Sequence, residues 1–386
     1  IVTINDYISV MKVVVVKETR PSENRVALTP DTVKALIKAG FECQIEKGAG
    51  LSSAINDDQY VKAGAVISDD RDDLLKTGDI HLRVNAPSNE DISRMKEGSI
   101  LISYLYAFAN GDTVNALARQ KVSAFSMDAI PRTTKAQRMD ALSSQANLAG
   151  YKSVIMGANA LGKIFPLMMT AAGTITPSRV LIFGAGVAGL QALATAKRLG
   201  AVVEVTDIRP GTKEEVESLG GRFLQVEGDE SVKVEGGYVT QVSEEYLRKQ
   251  KEMINKHVSE ADLVITTAAV QGKKSPVLVT PEMVETMKRG SVIVDLAAES
   301  GGNCALTQAG KTINHNGVTI MGELNLPGQL AQNASELYAK NVTALLTHLA
   351  GKEGFKWEMD EEITKGCLIT HQGQIVHEAT QKALAN

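Results

Sequence analysis

Aromatic residues are scarce, 4% of the 386-residue chain, too few for a base-stacking platform or a lectin-like sugar surface. Cysteine is scarcer still. Cys43, Cys304 and Cys367 lie far apart, which argues against a metal knuckle or a disulfide framework and for reduced thiols in a cytosolic protein. A net charge of -4 with no dense Lys/Arg stripe gives no electrostatic reason to expect nucleic acid. His81, His257, His315, His348, His371 and His377 show no metal-ligand spacing, so no metal is expected. Ile1 to Val10 carry neither a basic region nor a small-residue cleavage site, so a signal peptide is not expected, and Met11 fits a native start. One long apolar run exists, Val180 to Ala196, but three glycines interrupt it. Strand, turn and helix fit that run better than a membrane span, so no direct membrane insertion is expected.

What is present is the composition of a folded two-domain protein, 44% apolar and 22% charged. Short β-branched runs alternate with helix-period segments from Lys12 onward. Strands are expected at Val13–Val16, Cys43–Glu46, Ile80–Val84, Ile100–Ser103 and Ala124–Met127, with helices at Asp31–Ala39, Asp57–Ala63 and Thr113–Gln120 between them. A helical stretch from about Asp140 to Met169 leads into a second series. Its strands are Arg179–Phe183, Val202–Thr206, Arg222–Gln225, Leu263–Thr267, Val292–Leu296 and Val318–Met321. A long helix from about Leu330 to Leu349 and a hairpin-like tail then return to the first series. The pattern is α/β: two Rossmann-like doubly wound domains separated by a cleft, residues 1–139 plus 324–386 and residues 140–323. Glu227 to Val242 is polar, Gly-rich and structureless in pattern, and longer than a connection there requires.

The strongest chemical signal is Gly184-Ala185-Gly186-Val187-Ala188-Gly189. It follows the apolar Val180–Phe183, opens an Ala-rich helix, and is followed by Asp207 at the end of the next strand, the context a dinucleotide fingerprint needs. Gly184 permits the tight turn, Gly186 lets backbone approach a diphosphate, and Gly189 lets helix and strand pack closely. The helix N-terminus offers unpaired N–H groups and partial positive charge. Asp207 can accept both hydroxyls of an adenosine ribose and would repel a 2′-phosphate, so NAD(H) is favoured. Ile208 flanks it, and Arg209, two residues on, is the one group that could attract such a phosphate. The alternative is a Gly-rich turn beside a surface Asp that binds nothing.

Arg132-Thr-Thr-Lys-Ala-Gln-Arg-Met-Asp-Ala-Leu-Ser-Ser-Gln-Ala-Asn-Leu-Ala-Gly-Tyr151, Met168–Gly173 and Phe183–Asp207 together resemble the NAD(H)-binding domain I of the alpha subunit of proton-translocating nicotinamide nucleotide transhydrogenase. The resemblance runs from about Lys12 to the end. It implies Re/Si-specific hydride transfer between NADH here and NADP(H) on a partner domain, a membrane-spanning partner domain that couples it to proton translocation, and a homodimer. It implies a cytoplasmic chain, peripheral at the inner membrane through its partners. It also implies that Arg132, Gln137, Asp140 and Ser143 hold the nicotinamide end, and that Gly236-Gly237-Tyr238 belongs to a lid over the nucleotide. Without the resemblance, spacing alone favours a capped helix start at Asp140 and a solvated Arg132.

Alanine dehydrogenase is the rival, since Glu18, Arg25, the Ala49-Gly50 turn and the Gly184 motif fit either. Its Lys and His positions fall here on Asn85, in Arg83-Val84-Asn85-Ala86-Pro87, and near Tyr106. Neither side chain shuttles protons near neutral pH. Direct hydride transfer between two nicotinamides needs positioning but no proton abstraction. Arg25, left without a substrate carboxylate, reads as a structural ion pair at the domain interface. A non-catalytic NAD(H)-sensing module is the other alternative.

Overall fold

The computed structural model describes residues 10–226, 233–235, 238–241, 244–268 and 274–385. The chain divides into two compact units, one built from residues up to Gln145 together with those from Gly328 on, the other from Ala146–Pro327.

In the first unit Lys12–Val15, Glu42–Glu46, Val66–Ser68, Ile80–Leu82, Ile100–Ser103 and Ser123–Ser126 run parallel. Their spatial order is third, second, first, fourth, fifth, sixth, the doubly wound arrangement. Such a sheet is covered on both faces, so its strands are apolar throughout. Val13 and Val15 accordingly enter one core and Val14 and Val16 another. The helix Pro30–Ala39 starts with proline at its first position and ends at Gly40, whose φ of 101° only glycine adopts without strain. Tyr338, Val342, Leu345 and Leu346 of the helix Ala331–Leu349 fill the core on the Val13 side. The tail adds two strands, Leu368–His371 antiparallel to Ser123–Ser126 and Gln374–Ile375 beyond it.

The second unit repeats the scheme. Arg179–Phe183, Val202–Thr206, Arg222–Phe223, Leu263–Thr266, Val292–Asp295 and Val318–Met321 are parallel, with Thr312–His315 antiparallel at one edge. Arg179–Phe183 and Leu263–Thr266 are neighbours although two strands intervene in sequence, so the strand order reverses between them. Ligands of open α/β sheets bind beyond the carboxyl ends at such a reversal. Among the described residues no helix is long and apolar enough to cross a membrane.

Several elements differ from the expectation. The helix expected over Asp140–Met169 is Ala141–Ala160, and Met168–Thr170 pairs antiparallel with Gly173–Ile175. Gly162 and Pro166 end the helical run, although Met and Ala favour helix locally. The boundary expected at 139/140 falls at Gln145/Ala146, inside that helix. Its first turns belong to the first unit, where the Gln145 side chain donates to Ala334 O and that of Ser144 to Asn341 Oδ1. The other boundary is at Pro327/Gly328 rather than 323/324. Within Glu227–Val242, read as structureless, Lys233–Glu235 pairs antiparallel with Tyr238–Gln241. Short alternating runs flanking a Gly-Gly turn carry a hairpin signal. Gly236 and Gly237 lie outside the described residues.

His81, on Ile80–Leu82, is 2% exposed and neither ring nitrogen has a hydrogen-bond partner. Burial, then the charge of Arg83, push its pKa down to about 3; Asp79 and Asp91 oppose this. The native state therefore keeps the ring neutral while the unfolded chain protonates it below about pH 6.5. This stability is complete above that pH and is lost as pH falls towards 3, at about 1.4 kcal/mol per unit. Urea unfolding at pH 7.5 and 5.0 should show a smaller loss in His81→Leu than in wild type. Equal losses would clear His81 as the source.

Candidate dinucleotide site

At the carboxyl end of Arg179–Phe183 the chain turns through Gly184, at φ 101°, whose N–H donates to Thr206 O (2.8 Å). Helix Val187–Arg198 follows, with Gly186 as its cap residue and no side chain capping its first turn. A Cβ on Gly189 would stand 1.8 Å from Gly184 O, so helix and turn touch through bare backbone. A Cβ on Gly186 would meet nothing within 4 Å. Open space therefore lies over uncapped N–H groups, which is the room and polarity a diphosphate requires. The dinucleotide fits this turn. From the other side Gly150 lies so close to the helix start that a Cβ would be 2.1 Å from Ala188 O.

Asp207 ends the adjacent strand. Its Oδ2 accepts from Ala185 N–H (2.7 Å) and Arg209 Nη2 (3.0 Å), and its Oδ1 from Arg209 N–H (2.8 Å) and Nε (3.0 Å). Burial pushes the carboxyl up, but hydrogen bonds from Arg209 and Ala185 outweigh it and hold the pKa below the usual range. Asp207 is thus ionised and fixed beside the turn. Ile208 is 66% exposed and Val187 also reaches the surface.

Across the strand reversal, Thr267 Oγ1 donates to Phe183 O (3.0 Å) and Gly184 O (3.3 Å). Asn303 brackets the next residue: its Oδ1 accepts from Ala268 N–H and its Nδ2 donates to Ala268 O and Pro276 O. Beneath lies Asp295, fully buried, accepting from Thr266 and Thr307 hydroxyls and from Ala297, Asn303 and Cys304 N–H groups. The sequence reading missed both residues. An acid ending an otherwise apolar strand was the available signal, because such a residue is buried only with partners.

In the first unit, Asp140 precedes helix Ala141–Ala160 and accepts from Ser143 N–H (2.9 Å) and Oγ (2.6 Å), a helix cap. Arg132 and Gln137 are exposed, the latter in the 3-10 turn Thr134–Met139. Arg132, Gln137, Asp140 and Ser143 therefore share the first unit, whereas the glycine motif and Asp207 share the second. Tyr238 lies in its strand, with its side chain outside the described residues.

The first unit has its own strand-end cluster. Arg25, 8% exposed, grips Glu23 through Nε (2.8 Å) and Nη2 (2.7 Å) and reaches Gln145 Oε1 through Nη1 (3.0 Å). Asn85 Nδ2 donates to Glu23 Oε2 (2.9 Å) and Glu18 Oε2 (3.4 Å). Burial holds the Glu18 carboxyl above its ordinary pKa. Tyr106 has φ 46° and stacks on Tyr104 at 5.5 Å. Asp128 fixes that backbone by accepting from Leu105 and Tyr106 N–H groups.

A pair of Rossmann-like units, one carrying a dinucleotide fingerprint, defines the class. The alanine dehydrogenase/PNT N-terminal domain family matches residues 14–149 and the C-terminal domain family residues 153–378. The chain belongs to the alanine dehydrogenase/PNT family, among the transhydrogenase alpha chains. It is 47% identical to the first of the separate chains that form the NAD(P) transhydrogenase alpha subunit of Rhodospirillum rubrum, over 96% of this chain and 98% of that one. It is 30% identical to an alanine dehydrogenase of Methanococcus maripaludis, over 97% and 96%. A transhydrogenase structure from Sinorhizobium meliloti superposes with a TM-score of 0.87 at 44% identity, over 95% of this chain and 100% of that one.

Proposed function

We propose that this chain is the NAD(H)-binding component of a proton-translocating transhydrogenase. Gly184 to Gly189 hold the diphosphate, Asp207 the adenosine ribose, and Arg132, Gln137, Asp140 and Ser143 the nicotinamide end. A bound NADH supplies a hydride from its dihydronicotinamide to NADP+ on a partner domain, with no proton abstracted. The chain's own task is then to bind, orient and exclude the wrong dinucleotide. Proton coupling belongs to a membrane-spanning partner, and the chain works as a peripheral homodimer. The hairpin Met168–Ile175 supports the dimer, because its Met169 is 75% exposed and a two-stranded ribbon is marginal unless packed.

One observation carries the choice over the dehydrogenase. The position of that enzyme's Lys is Asn85, whose amide is spent on Glu18 and Glu23, and that of its His is Tyr106. The purified chain, mixed with an NADP-loaded partner domain from a related transhydrogenase, should transfer hydride from NADH to an NADP+ analogue only when the partner is present. Turnover of pyruvate and ammonium instead would hand the reading to the dehydrogenase. Tight NADH binding with neither reaction would favour the sensing module. A monomer by sedimentation would remove the homodimer.

A further inference from the structure

We propose that Arg209 is an internal competitor for the ribose diol and thereby sets the affinity and selectivity of the Asp207 site; this rests on the reading of Asp207 as the ribose acceptor. An ionised carboxylate offers about four acceptor positions. Four N–H donors already occupy Asp207: two backbone amides, of Ala185 and Arg209, and two atoms of one guanidinium. Each oxygen holds one amide and one guanidinium nitrogen. A vicinal diol brings two O–H donors to those same two oxygens, so fork and diol are alternatives rather than neighbours.

Arg209 is the partner able to leave. Its side chain is 37% exposed against 6% for Asp207, whereas the Ala185 amide is fixed in the turn. When the guanidinium swings out, the two amides keep the carboxylate aimed and charged, and one position opens on each oxygen. In the empty site the fork stands in for the diol, so the site is formed before the ligand arrives. Binding of the adenosine half then exchanges one ion pair for two hydroxyl hydrogen bonds. A ligand without both hydroxyls, including one blocked by a 2′-phosphate, leaves an oxygen short after that exchange.

Isothermal titration of wild type, Arg209→Met and Asp207→Asn with NADH, ADP-ribose and nicotinamide mononucleotide tests this. Methionine keeps the apolar stem and removes the fork. Arg209→Met should bind NADH and ADP-ribose about threefold tighter, the scale of a partly exposed ion pair, with nicotinamide mononucleotide unchanged. A merely structural or directly cofactor-binding Arg209 would not produce a gain. Equal or weaker binding by Arg209→Met, with Asp207→Asn impaired, overturns the competitor and leaves the ribose site standing. Unimpaired NADH binding by Asp207→Asn overturns the ribose reading and the competitor with it.

Discussion

Gly189→Ala should abolish measurable NADH binding and lower the stability of the second unit by more than about 3 kcal/mol, beyond the usual cost of overpacking. The added methyl would lie 1.8 Å from Gly184 O and 2.9 Å from its carbonyl carbon, with Thr267 Oγ1 at 3.4 Å. Those neighbours are chiefly backbone, and Gly184 is itself held by its N–H bond to Thr206 O. No rotamer change relieves the clash, so the helix must lift from the strand end. The N–H groups of its first turn would then be displaced from where a diphosphate lies. Gly186→Ala separates folding from binding. Its φ is -79° and its Cβ would meet nothing within 4 Å, so thermal unfolding should match wild type. That Cβ would nevertheless take space assigned to the diphosphate, and NADH affinity should fall about a hundredfold, some 2.7 kcal/mol. A melting curve and an NADH fluorescence titration of both variants decide the matter. Wild-type affinity in Gly186→Ala would remove the diphosphate from that turn.

These two glycines also show what the sequence can disclose. Each residue of Gly184–Gly189 has a backbone reason legible without coordinates, and the flanking strands are near-continuous apolar runs that only a doubly covered sheet requires. Edge strands were less legible: Val66–Ser68 and Thr312–His315 are short and partly polar, as strands with one neighbour are. The hairpin at Met168–Ile175 was hidden by residues whose local preference is helical. The unit boundary inside Ala141–Ala160 leaves no trace in periodicity, since a helix reads alike whichever unit it packs on. At Asp140 and Ser143 local chemistry states only the cap, and the assignment of a nicotinamide came from resemblance alone. Arg209 illustrates the opposite limit. Its charge was visible, but that it already saturates Asp207 depends on which atoms meet.

Asp295→Asn should cost about 3–5 kcal/mol in stability, the scale for breaking a buried charged network, and should weaken NADH binding beyond what partial unfolding explains. Five donors converge on this carboxylate: three backbone N–H groups and the hydroxyls of Thr266 and Thr307. No cation is among these donors, so the charge is held by dipoles alone, and hydrogen bonds to a charged acceptor exceed neutral ones. An amide keeps one acceptor oxygen but turns two hydrogens towards the N–H groups of Asn303 and Cys304 or the Thr307 hydroxyl, with the side chain fully buried. The cost should pass along the chain. Asn303, released by the loss at its N–H, is the residue that brackets Ala268 on both its N–H and its C=O, and Thr267 beside it ties to Gly184 O. Loosening Asn303 therefore frees the loop that follows Leu263–Thr266 at the strand reversal, where the nucleotide is placed. Urea unfolding gives the stability loss, and NADH titration under conditions where the variant is fully folded gives the rest. Asn303→Ala, which leaves the Asp295 carboxylate in place, should reproduce the loss of affinity with a smaller loss of stability. If Asn303→Ala binds NADH as wild type does, Asp295 is a staple for the fold alone and the path from it to the site does not exist.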